Sequence, residues 1–535
     1  MKISSSVMKP ARSALAAAAV LAGFGLGDGR AIADDKPLVV ARAFDVNSLD
    51  PARAWCDTCV IYLSNVYETL LTLDKDNKTL KPELAVSWEA NADQTQFTFK
   101  LDPDALFSDG TPVESKDVKF SFERLKNVKG GPSFFMDGLK SIEAPEPKTV
   151  VVTTEAPNSE FLNILSSSYA GVQNSDVALA NGATAAADAD KTDGAEAWFQ
   201  TNSIGSGPYV LAGFKPDEEL RFGSNPHYKR TTVNITNAVL TNTKDSVSQA
   251  QMLESGAADI AMQIDADTAK QLPADTVVVE AVPSPNFVYV ALSPGAKGNK
   301  VPLTKEIREA ISLSLDYDGI IDFTTGGAGK PQASPIPNGF PGTEGLPMPK
   351  QDLDKAKAIL EKAGLSGGFE IDATFPNVNS FGVDFTLMMQ KVQQDLARVG
   401  IKALIQPVEM SVWRTQIRAD GIPLSGVFYA PDYFGSAQYV QYFGMIEGSP
   451  WWKRAGGERD PSVVNPKETQ LLKQVLAAPE DKKEELYHAI ALEMISDKII
   501  LPLVSPDIIL AYRKGVEGVR FSACCLLPLD EISRK

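Results

Sequence analysis

The stretch LDKAKAILEKAGLSGGFEIDATFPNVNSFGVDFTLMMQKVQQDLARVGIKALIQPV, residues 353–408, decides the fold class. Leu353, Ala356 and Leu360 recur at helical spacing and predict a helix over Leu353–Ala363. Phe369–Phe375 reads as a strand, Phe385–Val399 as a second helix and Ile401–Val408 as a second strand. Such alternation predicts an α/β lobe whose sheet is flanked by helices. Within the stretch, Gly364-Leu365-Ser366-Gly367-Gly368 fits the G-x-S-x-G of a nucleophile elbow. That elbow needs a strand before the serine and a helix after it, and here the order is reversed. Gly364 is therefore expected to stop a helix. A secreted serine hydrolase using Ser366 stands as the alternative of a different class.

The same grammar runs outward in both directions. Leu38–Phe44 predicts a strand, Asp45–Arg53 a loop and Val60–Leu73 a helix, the order that opens a ligand crevice in an open α/β sheet. Further strands are expected at Gln96–Leu101, Lys148–Glu155, Phe287–Leu292, Ile499–Val504 and Ile508–Tyr512. Further helices are expected at Ser115–Leu125 with Ser115 as cap, Val247–Ser255, Lys305–Ile321 and Leu471–Ile495. The Ala/Asp/Gly-rich segment Ala178–Ala197 reads as a surface excursion. Gly205-Ser206-Gly207-Pro208 lacks the Lys-Ser/Thr ending of a phosphate loop and leads into a strand, so it reads as a turn.

Residues 1–33 read as a secretory leader. Lys2, Lys9 and Arg12 precede the apolar run Ser13–Leu26, and Ala31-Ile32-Ala33 supplies a small-x-small cleavage pattern. Phe24 stands where a lipidated cysteine would be, so an unlipidated, periplasmic protein is expected. The 502 residues left are too many for one core and suggest separate lobes. Cleavage removes four basic residues and one acid, taking the net charge from −16 to −19. Such a surface argues against nucleic acid as a partner. The cysteines Cys56, Cys59, Cys524 and Cys525 read as disulfide candidates of open connectivity, with a four-thiolate zinc site as the alternative. A crosslink between the pairs would staple the two chain ends into one lobe. His227 and His488 are the only histidines, and neither lies in a metal-ligand spacing. No catalytic constellation, metal site or cofactor is expected.

One further stretch, Gly426–Phe443 (GVFYAPDYFGSAQYVQYF), crowds seven aromatic residues around a single charged side chain, Asp432. Asp432 reads either as a turn or cap residue or as a charge anchor for a ligand.

Several segments together resemble the extracytoplasmic solute-binding proteins of peptide-type ABC transporters, solute-binding family 5. They are Asn65–Leu70, Leu84-Ala85-x-Ser87-Trp88, Phe97–Lys100, Phe107–Pro112 and Asp117-Val118-x-Phe120-Ser121. Gly205–Tyr209, Asn225-Pro226-x-Tyr228, Ile307–Ser312, Leu353–Gly364, Gln394–Ile401 and Asp497–Leu503 extend the likeness over the mature chain. The resemblance implies a two-lobed clamshell of mixed sheets flanked by helices. Lobe I would span 34–285 with an inserted subdomain at about 81–204, lobe II 286–494, and 495–535 would return to lobe I. It implies a monomer that encloses a small-molecule ligand and passes it to a membrane ABC permease.

In the family an Asp-Tyr pair of lobe II holds a peptide's ammonium group. Asp432-Tyr433 matches it, with Tyr429 where Trp is usual. Asn379 and Phe381 fall where dipeptide binders carry the Arg and Tyr of a carboxylate clamp, so a free dipeptide is disfavoured against a longer peptide or another amine. Trp413, Trp451 and Trp452 are stacking candidates for an oligosaccharide ligand, the alternative within binding proteins, or else core residues.

Overall fold

A computed structural model describes residues 36–535; the expected leader lies outside them. The first lobe is built on a seven-stranded mixed sheet. Its central strand, Leu38–Arg42, pairs in parallel with Asn237–Asn242 on one side and Ile260–Ala261 on the other. The second lobe carries a six-stranded sheet centred on Phe287–Leu292 and Leu424–Tyr429. All six residues of FVYVAL are buried, because helices cover both faces of this sheet and alternation is lost. Phe369–Pro376 and Ile401–Val408 pair in parallel, joined across the sheet by the helix Phe385–Ala397. A four-stranded antiparallel sheet spanning Ala85–Ala90 to Thr149–Thr154 backs the helix Ser115–Val128, and its core is continuous with that of the first lobe.

The chain passes between the two main sheets twice. Val277–Val282 leads into Phe287–Leu292, and Ile500–Pro506 leads into Ile508–Arg513. The Ser284 hydroxyl donates to the Pro506 carbonyl at 2.8 Å, and the Ser505 hydroxyl to the Ser284 carbonyl at 3.1 Å. Two short backbone links tied to each other are the geometry of a hinge. The return to the first lobe therefore falls at Pro506-Asp507 and not at 495, since Ile500–Pro506 pairs within the second sheet.

Other expectations change for local reasons. Lys305–Ile321 is two helices, Lys305–Ser314 and Tyr317–Thr325, because Leu315 is extended and Asp316 caps the second. Leu471–Ile495 is likewise divided into Pro466–Leu476 and Glu480–Asp497, with Pro479 unable to continue the first. The helix begun at Val60 runs instead over Asp57–Val66, and Leu71–Leu73 is a strand. Glu114, not Ser115, is the cap of Ser115–Val128; its N–H is met by the Asp117 carboxylate at 2.9 Å. Gly364 does follow a helix with φ 76°, and the strand Phe369–Pro376 comes after it.

The cysteines pair locally, Cys56 with Cys59 and Cys524 with Cys525, so no disulfide staples the chain ends and no thiolates are left for zinc. The ends are joined by hydrogen bonds instead. Asn65 donates to the Leu527 carbonyl at 3.0 Å and accepts from the Leu529 N–H at 2.9 Å. The excursion Ala178–Ala197 is pinned rather than loose: Asp193 is fully buried against Arg124. Gly205 lets the backbone cross Val66, where an added Cβ would lie 1.9 Å from the Val66 carbonyl oxygen. Gly205→Ala is expected to destabilise the protein by about 3 kcal/mol, read as a lower urea midpoint at unchanged slope.

Candidate ligand cleft between the lobes

The buried strand Leu424–Tyr429 delivers the aromatic loop to the boundary between the lobes. Pro431 ends the strand, and the buried side chain of Gln438 fixes the turn. Gln438 accepts from the Asp432 N–H at 2.9 Å and donates to the carbonyls of Tyr433 and Gly435. The helix Ser436–Phe443 is capped by Gly435. The Asp432 carboxylate thus neither caps a helix nor closes the turn, and among the described residues no backbone N–H donates to it.

The Asp432 carboxylate instead faces the first lobe. Its Oδ1 accepts from the indole N–H of Trp55 at 3.3 Å, and its backbone carbonyl accepts from the Ser167 hydroxyl at 2.8 Å. Enclosure by protein pushes the carboxyl up to about 7, and the charge of Asp57 adds to this. The Trp55 donor and the Tyr429 hydroxyl pull the other way. These two aromatic donors leave part of a carboxylate's hydrogen-bonding capacity unused. The group is enclosed yet reached by solvent, which is the condition of a site lined for a cation.

Trp55 lies outside every motif that the sequence marks as a site. It sits between the loop 45–53 and the helix Asp57–Val66, remains 46% exposed, and lies against Phe134, itself 36% exposed, with ring centres 5.4 Å apart. The loop is held by Asp45, which accepts from the N–H groups of Asp57 and Thr58 at 2.8 and 2.9 Å. Arg42, at the end of the central strand, is 3% exposed and donates from Nε to the Ala43 carbonyl at 3.3 Å. Burial raises the Asp57 carboxyl, Asp45 adds to the rise, and Arg42 opposes it. Carboxylates of both lobes therefore outnumber the one guanidinium on this wall.

Of the other expected site residues, Tyr433 is 6% exposed and inserts into the first lobe's core, 6.2 Å from Phe135. Tyr429 is wedged among Tyr439, Tyr442 and Phe443. Trp413 is 4% exposed and its indole donates to Ser425 at 2.8 Å, while Trp451 and Trp452 are buried in the same cluster. All three tryptophans are core residues and present no face for stacking a sugar. Asn379 is exposed on a short hairpin opposite Asp384. Phe381 packs edge-on to Phe428 at 5.6 Å with φ 54°. Neither residue carries a cation, so no carboxylate clamp exists at these two positions.

The lobes also meet beyond the aromatic loop. The Ser159 N–H donates to the Leu476 carbonyl at 2.9 Å, and Tyr487 donates to the buried Glu160 at 2.9 Å. A cavity of about 620 Å³ lies beside this contact, lined by Glu160, Asn163, Phe340, Phe434 and Lys483 but not by Asp432. Its buried charges are already matched, Glu160 by Asn163 and Tyr487, and Lys483 by the Ser159 carbonyl and Glu480. Asp432, by contrast, has no cation within ion-pair distance among the described residues.

Comparison with known proteins agrees with this architecture. Residues 79–447 match the family described as bacterial extracellular solute-binding proteins, family 5. The chain is 28% identical over 498 residues to the probable D,D-dipeptide-binding periplasmic protein DdpA of Escherichia coli, covering 91% of each. It is 25% identical over 386 residues to heme-binding protein A of Haemophilus influenzae, covering 68% of each. The fold matches DppA of Helicobacter pylori, solved in complex with the peptide STSA, with a TM-score of 0.76 at 20% identity over 93% of this chain and 98% of that one. The two-lobed fold and the match over residues 79–447, more than half of the sequence, show that the chain belongs to the bacterial extracellular solute-binding proteins of family 5.

Proposed function

We propose that this solute-binding receptor captures a peptide-like, amine-bearing solute by pairing its ammonium group with Asp432, and releases it unchanged to the membrane ABC permease. The observation that carries the reading is the enclosed Asp432 carboxylate, raised by burial and met by the 3.3 Å Trp55 donor and the Tyr429 hydroxyl but by no cation among the described residues. A cation placed there lets the carboxylate ionise at little cost. The D,D-dipeptide relative makes short peptides of both chiralities the first class to screen. The protein works after removal of residues 1–33, free in the periplasm and without a lipid anchor. Among the described residues no helix is long and apolar enough to cross a membrane.

The test is a thermal-shift screen of refolded, ligand-free protein against peptides, amines, neutral sugars and Ni²⁺. At a hundredfold excess over Kd a binder stabilises the native state by about 2.7 kcal/mol. A shift with an amine that disappears in Asp432→Ala supports the reading. A shift with a neutral sugar that survives the substitution sinks it.

The pH dependence follows from the same group. Below about 7 the empty site holds a proton on Asp432, which a docking ammonium must expel. Affinity for a peptide is expected to rise up to about tenfold per pH unit from pH 5 to 7 and then level off. Isothermal titration at four pH values checks this, and a flat profile would contradict it.

A further inference from the structure

The Cys56–Cys59 disulfide lies one residue from Trp55, the contact between the first lobe and Asp432. We infer that Cys56-Asp57-Thr58-Cys59 is a redox-active pair whose oxidation state sets the position of Trp55 and, through it, the affinity of the cleft. The coupling to ligand rests on the Asp432 reading; the redox activity itself does not.

Four observations carry the inference. Cys56 is the N-cap of Asp57–Val66 and only half-buried, whereas Cys59 is fully buried in the helix's first turn. An accessible sulfur at a helix start, backed by a buried partner, is the arrangement in which the outer thiolate is stabilised and open to exchange. The Cys59 N–H already points at Cys56 Sγ at 2.9 Å, ready to stabilise that thiolate. The Cys59 sulfur lies 3.3 Å from Asn47 Oδ1 and 3.4 Å from the Ser48 carbonyl, two acceptors for the proton it would carry when reduced. Finally, Asn47 Oδ1 is also the acceptor for the Trp55 backbone N–H, at 2.8 Å. A reduced Cys59 would compete for the atom that anchors Trp55. The disulfide form leaves that atom to Trp55 alone.

The reductant is a dithiol. One of its thiolates attacks Cys56 Sγ, and the electron pair of the broken S–S bond leaves on Cys59, which takes up a proton. The second thiol of the reductant, deprotonated, attacks its own sulfur in the mixed disulfide and expels Cys56 as thiolate. Two electrons and one proton pass to the protein, leaving Cys59 a thiol and Cys56 a thiolate, and the reductant departs as its cyclic disulfide. With the local crosslink gone and Asn47 shared, Trp55 leaves Asp432 more often. Affinity for a peptide held at Asp432 falls by about tenfold, within the usual span of coupling between two sites. By linkage a bound peptide makes the pair harder to reduce by the same factor, about 30 mV for this two-electron couple.

The mature protein is equilibrated with mixtures of reduced and oxidised dithiothreitol under native conditions, and free thiols are alkylated. Peptide mass spectrometry separates Cys56/Cys59 from Cys524/Cys525. The inference expects Cys56 and Cys59 to be reduced together in the folded protein, with a tryptophan fluorescence change that is absent from Trp55→Phe. A pair that stays oxidised in excess dithiothreitol overturns it, as does a fluorescence change that persists in Trp55→Phe. D-alanyl-D-alanine titrated into both oxidation states is expected to show the tenfold difference, and equal affinity overturns the coupling. If that peptide binds neither state, the peptide reading of the cleft fails for it, and the thiol and fluorescence readouts still decide the redox pair.

Discussion

Asp432→Asn is expected to weaken binding of an ammonium-bearing peptide by about a hundredfold or more while making the unliganded protein more stable at pH 8. The first effect follows from removing one member of an enclosed charge pair, which costs about 2–5 kcal/mol of binding. The second has the opposite sign because the empty site is under electrostatic stress. The Asp432 carboxyl is raised to about 7 in the folded protein, mainly by burial. In the unfolded chain it ionises near 4. Between those values the folded state holds a proton that the unfolded state has lost, so stability falls as pH rises from about 4 to 7 and stays lost above. Asn carries no such loss. Melting curves of the two unliganded proteins should therefore separate at pH 8 and converge near pH 4. Lower stability of the Asn variant at pH 8 would mean that the carboxylate holds the closed lobes together rather than waiting for a ligand.

Arg124→Met is expected to cost about 3–5 kcal/mol of stability, the largest folding effect of any single substitution considered. Arg124, Asp50 and Asp193 have fully buried side chains. The guanidinium reaches Asp50 at 2.6 and 2.7 Å and Asp193 at 2.8 and 3.0 Å, a double fork with no water needed. Replacing it with Met preserves volume but strands both carboxylates, which Arg53 alone, partly exposed, cannot match. The cluster ties the helix Ser115–Val128 and the Asp193 segment to the loop that carries Asp45 and Trp55. Its failure would loosen the cleft as well as the core. Burial alone would raise Asp193, yet the Arg124 and Arg53 donors outweigh it and hold the carboxyl at about 2. That contribution is fully present above about 4 and is lost as pH falls toward 2. Urea unfolding at pH 7 and pH 3 should show the deficit of the variant shrinking on acidification.

The frame of the protein was legible because its strands and helices obey one period each. FVYVAL and Leu353–Val408 read correctly, since a fully buried strand and a βαβ crossover leave unambiguous apolar patterns. Breaks inside long apolar runs were not legible. Asp316 and Pro479 interrupt helices whose periodicity continues across them, so local chemistry overrode the pattern. The return point to the first lobe was misplaced because Ile500–Pro506 and Ile508–Arg513 look alike in sequence and belong to different sheets.

The site was half legible. Asp432 stands out as the single charge in an aromatic loop, and its carboxylate faces Trp55 of the first lobe while Gln438 holds the turn. Its partner Trp55 lies 377 positions away. No local pattern joins two residues across the lobes; the only cue was a tryptophan placed where a loop enters a helix. The three other candidate tryptophans had the same composition signal and turned out to fill a core. The pairing of cysteines was equally beyond the sequence, which offers three connectivities for four residues.

The most direct test of the central claim compares one peptide with its N-acetylated twin on the wild-type protein and on Asp432→Asn, by isothermal titration at pH 7.5. Acetylation removes the positive charge and leaves the rest of the ligand in place. The account predicts that it costs about a hundredfold in Kd on the wild type and little on Asp432→Asn, because the partner of the ammonium is already gone. An acetylated peptide that binds the wild type as tightly as the free amine would contradict the assignment of Asp432 as the anchor.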